Sequence, residues 1–407
     1  MKILVPTSGT LGDVRPVLAL ALGLREAGHT VVLAAPPENE ELVKYYECPF
    51  SPLGDNFREF AASTPDPSLN PVKATIALRN FSNVQMKRQM NELHQIAEDV
   101  DLIIGASIIF GIPTAAELAN KPFKFLSFCP GIIPSAHHPS LITRSHNHPK
   151  LVNRLSWWFY FRLMNFLFGR SLNQERRKHN LKPVSNIWSH LLEQGVIVAS
   201  DAAIGKVPDD VKAPYSQTGY LHLATKDVLP SEVENFLLAG DPPVFIGFGS
   251  MGTENWKETI GIMVNSVRSL NRRIILSTGW AHIDDNLSDK DIINVDQVPH
   301  ELLFPRVAAV VHHGGAGTTS TAARAGVPQI IMPHMSDQYY YASRVWKNGL
   351  GPAPIMRKEL NEKLMNQALN YCFENHEIQR NVKEMRDELF NTNPLEETVK
   401  IVEKMYV

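Results

Sequence analysis

The residues best placed to do chemistry stand in one run, His312-His313-Gly314-Gly315-Ala316-Gly317-Thr318-Thr319. The apolar segment before it, VAAVVHH (307–313), reads as a buried parallel strand. The segment after it, TTSTAARAG, reads as a helix closed by Gly326 and Pro328. The glycines let the backbone turn tightly beside a ligand. A turn that feeds a helix N-terminus aims several free N–H groups at one spot, which attracts phosphate oxygens. His312, or its neighbour His313, adds a donor at the strand end. One apparent strand later (PQIIMP, 328–333) come Asp337 and Gln338, again where strand gives way to helix. Ligands in open α/β sheets sit outside the carboxyl ends of the strands. Asp337 accepts hydrogen bonds and Gln338 both donates and accepts, which suits the adjacent hydroxyls of a sugar. The pattern predicts a site for a diphosphate that carries a sugar.

A second candidate lies near the other end of the chain. Asp13 follows the first strand in GTLGDVRP (9–16), where a ligand at that sheet's carboxyl edge would meet it. An alcohol that displaces a diphosphate needs a base to take its proton, and a carboxylate can serve. Asp13 also stands just before an apolar helix with Pro16 in its first turn, which is a good N-cap, and the helix dipole there lowers a carboxyl pKa. Ser250 follows the apolar strand VFIGF and is either a phosphate ligand or a turn serine.

Three strings in order, GTLGDVRP (9–16), VFIGFGSMGT (244–253) and VPHELLFPRVAAVVHHGGAGTT (298–319), resemble the inverting nucleotide-sugar glycosyltransferases of the GT-B fold. Within them the chain is similar to the branch of bacterial natural-product glycosyltransferases and sterol glucosyltransferases. The resemblance implies an α/β fold of two doubly wound Rossmann-like domains facing a cleft. Residues 1–220 would bind acceptor, residues 221–390 would bind the nucleotide-sugar donor, and a helix in 391–407 would cross back to the N-terminal domain. It makes Asp13 the catalytic base, where many relatives carry a histidine. Ser250, His312, Gly314, Gly315, Ala316, Gly317, Thr318 and Thr319 would hold the diphosphate, and Asp337 and Gln338 the sugar. Val298, in QVPH, would hold the base through its backbone, and Trp280 would wall it, packing being the plainer role for that tryptophan.

Plant-type relatives place a tryptophan and a ribose-binding glutamate where Gln297 and Ser320 stand here. UDP-glucose and a dTDP-sugar therefore both remain open as donor, with no other cofactor. The acceptor implied is a hydrophobic small molecule, such as a sterol, polyketide or aromatic aglycone. A same-fold transferase acting on a membrane lipid and a non-catalytic nucleotide-sugar-binding partner are the alternatives. A dinucleotide oxidoreductase does not fit, because no GxGxxG follows the first strand and no acidic residue ends the second.

These residues need two series of strands and helices to position them. Strands are expected at 2–6, 30–35, 102–106 and 123–128, and at 196–200. Helices are expected at 15–27, 72–98 and from 151 to 194. A second series begins at 244 and runs through strands 273–277, 292–295, 307–312 and 328–332, after a linker near 215–243. The alternation predicts two doubly wound domains.

Composition narrows the classes. A chain of 407 residues with 44% hydrophobic and 20% charged residues is an ordinary globular protein of two-domain length. Its net charge of −2 gives no argument for nucleic acid. Cys48, Cys129 and Cys372 are scattered, fit neither a disulfide framework nor a zinc site, and point to a reducing, cytoplasmic compartment. The start, MKILVP, reads as a strand and not a signal peptide. No metal site is expected: Asp99-Val100-Asp101 and Asp289-Lys290-Asp291 precede strands, away from the edge where ligands bind. The stretch 151–170 is too often interrupted by Arg and Asn to span a membrane. It reads as an amphipathic helix whose broad apolar side serves core packing, a wall of the acceptor pocket, or peripheral contact with a membrane surface.

Overall fold

The computed structural model describes residues 1–57, 59–60, 64, 70–107, 109–249, 256–277 and 289–405. Two compact units emerge. The first holds Met1–Ala202, Lys206–Leu223 and the chain from Asn393 on; the second holds Ala203–Gly205 and Ala224–Thr392.

The first unit runs β1 (Lys2–Pro6), α1 (Leu11–Glu26), β2 (Thr30–Ala35), α2 (Glu40–Tyr45), β3 (Phe50–Pro52) and α3 (Pro71–Ala97). It continues with β4 (Leu102–Ala106), α4 (Ile112–Leu118), β5 (Phe123–Ser127), α5 (Lys150–Met164), α6 (Arg170–Lys178), α7 (Ile187–Leu192), β6 (Val196–Val198) and β7 (Tyr215–Gln217). A π-helical turn, Asn165–Gly169, joins α5 to α6. The seven strands are parallel, in the order β3-β2-β1-β4-β5-β6-β7. The order reverses between β1 and β4, so the loops that leave these two neighbours diverge and open a crevice at the carboxyl edge.

Burial on both faces explains why the strands read as unbroken apolar runs. On one face, Val14, Val17, Leu18 and Leu24 of α1 pack against Val5, Leu33 and Ile104. On the other, Met86 and Met90 of α3 join Phe123, Phe125, Trp157 and Trp188.

The second unit runs α8 (Ser231–Leu238), β8 (Val244–Gly247), α9 (Trp256–Ser269), β9 (Ile274–Ser277), β10 (Ile292–Val295) and α10 (His300–Leu303). Then come β11 (Ala309–His312), α11 (Ala316–Ala325), β12 (Gln329–Ile331), α12 (Gln338–Lys347), α13 (Glu362–Glu374) and α14 (His376–Phe390). Its five parallel strands lie in the order β10-β9-β8-β11-β12, with the reversal between β8 and β11. The last helix, α15 (Pro394–Lys404), returns to the first unit. Its Val399 and Val402 join the α1 core, and Thr398 Oγ1 donates to Thr218 Oγ1 at 2.8 Å. A Cβ on Gly23 would lie 2.7 Å from Leu395 Cδ1, so the glycine is what lets α1 and α15 approach.

The structure departs from the expected elements in several places. β3 and β7 are three residues each, too short to show a period, and β7 begins inside the stretch expected to be linker. Helix α1 starts at Leu11, not at 15. The helical block from 151 breaks at the π-turn and again after α6. Core packing of α5 covers only part of its apolar surface: Asn153, Trp157 and Tyr160 are buried, whereas Leu151, Leu155, Trp158 and Phe159 are exposed. Among the described residues no helix is long and apolar enough to cross a membrane.

Candidate functional site

The reversal point of the first sheet is where Asp13 sits. Thr10 caps α1, and Asp13 is the third helical residue of a capping box rather than the cap itself. Its Oδ2 accepts the Thr10 amide at 2.9 Å and the Thr10 hydroxyl at 3.4 Å. Its Oδ1 accepts the Ser107 hydroxyl at 3.0 Å. Ser107 follows β4, in the left-handed region at φ 63°, and shares a 3.1 Å hydrogen bond with Thr7 Oγ1. Gly9, at φ 124°, is glycine because a Cβ there would overlap the Asp13 carboxylate. The sequence predicted that the helix dipole would lower the Asp13 pKa. Burial wins instead and pushes it up to about 6, against the opposing pull of the Thr10 and Ser107 hydrogen bonds. That value is poised for proton transfer near neutral pH.

The reversal point of the second sheet is where the histidine–glycine run sits. The two histidines do different work, and the expectation for His312 needs correcting. His312 is fully buried. Its Nδ1 accepts the Gly314 amide at 3.1 Å, which places the ring proton on Nε2 for donation to Gln329 Oε1 at 3.0 Å. Gln329 Nε2 donates in turn to the Thr319 carbonyl at 3.3 Å. Both ring nitrogens are spent, so His312 has no donor left for a diphosphate; it shapes the loop. His313 is partly exposed, and its Nδ1 has no hydrogen-bond partner among the described residues. A Cβ on Gly315 would lie 2.6 Å from His313 Nε2, and one on Gly249, just past β8, 3.7 Å from Cε1. The ring thus bridges the ends of β8 and β11. Burial, then the neighbouring His312, His334 and His300, push its pKa down to about 3, so the imidazole is neutral.

Helix α11 has Gly315 as its cap and no side-chain capping bond. The amides of Ala316, Gly317 and Thr318 therefore have no acceptor within the helix. Thr319, expected among the diphosphate ligands, turns inward: its amide and hydroxyl both bond the Gly315 carbonyl, at 3.0 and 2.9 Å. Gly314 is a turn residue at φ 90°, its amide taken by His312, not a free donor. A Cβ on Gly314 would lie 3.1 Å from the Gln338 carbonyl, which shows how closely the loops after β11 and β12 meet.

Asp337 caps α12 and is partly exposed. Gln338 is buried, and its Oε1 accepts the amides of His334 at 2.8 Å and Met335 at 3.0 Å. Gln338 was expected both to donate and to accept, but its oxygen is committed to the turn and only the amide NH2 remains for a ligand. Val298 packs its side chain in the core with Leu303 and Phe304, leaving its backbone for the loop. Ser250 and Trp280 lie outside the described residues. The acidic pairs have partners of their own: the Lys2 ammonium meets Asp99 at 3.3 Å, the Lys2 backbone amide donates to Asp101 at 2.8 Å, and Arg268 holds Asp289 at 3.2 Å and Asp291 at 2.7 Å. Ser107 and Gln329 were not singled out in the sequence. Gln329 had a signal, a polar side chain in a buried strand; Ser107 had none, because only the sheet order brings it to Asp13.

Comparison with known proteins agrees with both halves. The family described as "Glycosyltransferase family 28 N-terminal domain" matches residues 3–115. The family described as "Erythromycin biosynthesis protein CIII-like, C-terminal domain" matches residues 262–405. The chain is 33% identical over 358 residues to the vancomycin aglycone glucosyltransferase of Amycolatopsis orientalis, across 87% of this chain and 86% of that one. It is 28% identical to sterol 3-beta-glucosyltransferase UGT80B1 of Arabidopsis thaliana, across 96% of this chain and 66% of that one. Among solved structures, glycosyltransferase VinC in complex with dTDP matches with a TM-score of 0.74 at 19% identity over 99% of each chain.

Proposed function

Since the chain belongs to the GT-B glycosyltransferases that those families and relatives represent, we propose that it moves a hexose, glucose foremost, from UDP or dTDP to a hydroxyl of a hydrophobic small molecule, with inversion and without a metal. The carrying observation is the Asp13 carboxyl, half-buried at the sheet reversal, bonded to Thr10 and Ser107, with its pKa raised to about 6. The first unit then binds acceptor and the second binds donor.

Asp13 takes the proton of the acceptor hydroxyl as its oxygen attacks the anomeric carbon. The bond to the diphosphate breaks on the opposite face, and the negative charge passes to the leaving diphosphate. The amides of Ala316, Gly317 and Thr318 and the imidazole of His313 receive that charge. Arrival of the diphosphate raises the His313 pKa and favours its donor role. Asp337 and the Gln338 amide orient the sugar. With these donors in place, and Asp99, Asp101, Asp289 and Asp291 engaged by Lys2 and Arg268, no divalent ion is required. Ser320 is buried and offers no carboxylate to a ribose, so a thymidine nucleotide fits as well as a uridine one. Sterols, polyketides and aromatic aglycones are the acceptor classes favoured.

The test is mass-spectrometric: UDP-glucose and dTDP-glucose, each with a mixed panel of these acceptors, in EDTA. A product one hexose heavier supports donor, acceptor class and metal independence together. Products that appear only when a divalent ion replaces EDTA overturn the metal-free reading, and no product with any pair overturns the acceptor class.

The base assignment carries a pH signature. kcat/KM should rise with pH through about 6, the Asp13 pKa, and level off above it. The Ser107 hydroxyl lowers that pKa, so Ser107→Ala should shift the acidic limb to higher pH. Ser107→Gly removes the same hydroxyl while suiting the positive φ, and should shift the limb likewise. A limb that stays put in both variants would show that Ser107 does not tune the base.

A further inference from the structure

Helix α5 and the turn after it leave an apolar stripe uncovered. Leu151, Leu155, Trp158 and Phe166 are 67%, 56%, 59% and 76% exposed, with Phe159 beside them at 54%. Their spacing, i, i+4, i+7, i+8 and i+15, places them on one helical face. The opposite side is fixed in the protein. Trp157 Nε1 donates to the His138 carbonyl at 3.1 Å, Asn153 Nδ2 to the Ala136 carbonyl at 2.9 Å, and Phe168 is buried. The helix is thus a rigid mount for side chains that are more than half exposed.

Its charge is one-sided. Residues 118–174 contain no Asp or Glu in a chain whose net charge is −2. Lys150, Arg154, Arg162 and Arg170 are all exposed along α5 and the start of α6. The Arg162 guanidinium lies 5.1 Å from the centre of the Trp158 ring, inside the apolar stripe itself. Helix α3 abuts the same turn, with Arg79 Nε and Asn83 Nδ2 donating to the Leu167 carbonyl at 3.4 and 3.3 Å. The sequence 67–91, which includes its first half, is also free of acidic residues.

We infer that this face docks on an anionic phospholipid surface, with α5 lying in the plane of the interface. Aromatic and aliphatic side chains interleaved with arginine suit the boundary between headgroups and acyl chains, where the rings enter and the guanidinium groups meet phosphates. A second copy of the chain is the poorer occupant. Isologous pairing of this face would bring Arg154, Arg162 and Arg170 against their own copies with no acidic residue in the segment to offset them. The inference is independent of which sugar or acceptor the reaction uses.

Vesicle flotation tests it, using the full chain with phosphatidylcholine vesicles with and without phosphatidylglycerol. The wild type should bind the anionic vesicles and lose much of that binding in high salt. Trp158→Ser with Phe159→Ser should weaken partitioning by about tenfold or more, and Arg154→Glu with Arg162→Glu by a similar factor. All four substituted side chains are exposed, so thermal midpoint and nucleotide affinity should stay at wild-type values. Failure of the wild type to bind anionic vesicles would overturn the inference. So would concentration-dependent dimerisation abolished by the same variants, which assigns the face to a second copy. Unchanged vesicle binding with a raised KM for a soluble acceptor would assign it to the acceptor site, and would equally overturn it.

Discussion

Asp13→Asn is expected to reduce turnover by about 10²–10⁴-fold while nucleotide affinity stays at the wild-type value. Asparagine keeps the local structure. Its oxygen can accept the Thr10 amide in place of Oδ2, and its NH2 can face the Ser107 hydroxyl in place of Oδ1. What it loses is the capacity to take a proton. The substitution should also stabilise the protein at pH 8. The folded-state pKa of about 6 lies above the ordinary 3.8, so the native protein holds this proton more tightly than the unfolded chain. Stability falls as pH rises between those values, and the loss, at most about 3 kcal/mol, persists above pH 6. Asparagine has no such loss, so its advantage should be full at pH 8 and vanish below about pH 4. Product formation, calorimetric nucleotide binding and thermal midpoints across pH measure the three effects. Wild-type turnover in this variant would remove Asp13 from the mechanism.

The adjacent histidines should separate cleanly. His313→Ala should lower turnover by about 10²-fold or more with little change in thermal midpoint, because its Nδ1 supports nothing in the fold. His312→Ala should do the reverse. It strands the Gly314 amide and the Gln329 side-chain oxygen Oε1, both buried. Each buried group left without a partner costs about 1–3 kcal/mol, so the two together should destabilise by about 2–6 kcal/mol. Some activity should survive in the fraction that folds. Paired unfolding curves and kcat values decide it: a stable His312→Ala with abolished turnover would exchange the two roles.

Why the sequence could not tell these two apart is physical. Alternation along a strand reveals which side chain faces a ligand only when one face is polar, and β11 is buried throughout. The strand runs themselves were legible, since two-sided burial leaves continuous Val, Ile and Ala, as were the glycine turns that end them. The capping box was also legible in Thr10-Leu11-Gly12-Asp13, but Pro16 drew the expected helix start to 15. The direction of the Asp13 pKa shift was not legible. The helix dipole is readable from position, whereas burial depends on the sheet order, which brings the end of β4 beside the end of β1. Likewise Gln338 reads as a free amide until the fold commits its oxygen to the amides of His334 and Met335. Thr319 reads as a ligand until helix geometry turns it to the Gly315 carbonyl.

The proposed reaction is a single displacement at the anomeric carbon by a hydroxyl that Asp13 deprotonates. Its most direct test is the anomeric configuration of the product, read by proton NMR on material made from an α-linked nucleoside diphosphate glucose. A β-linked glucoside is the predicted result. An α-linked glucoside would mean retention, and would contradict both the one-step displacement and the role given to Asp13.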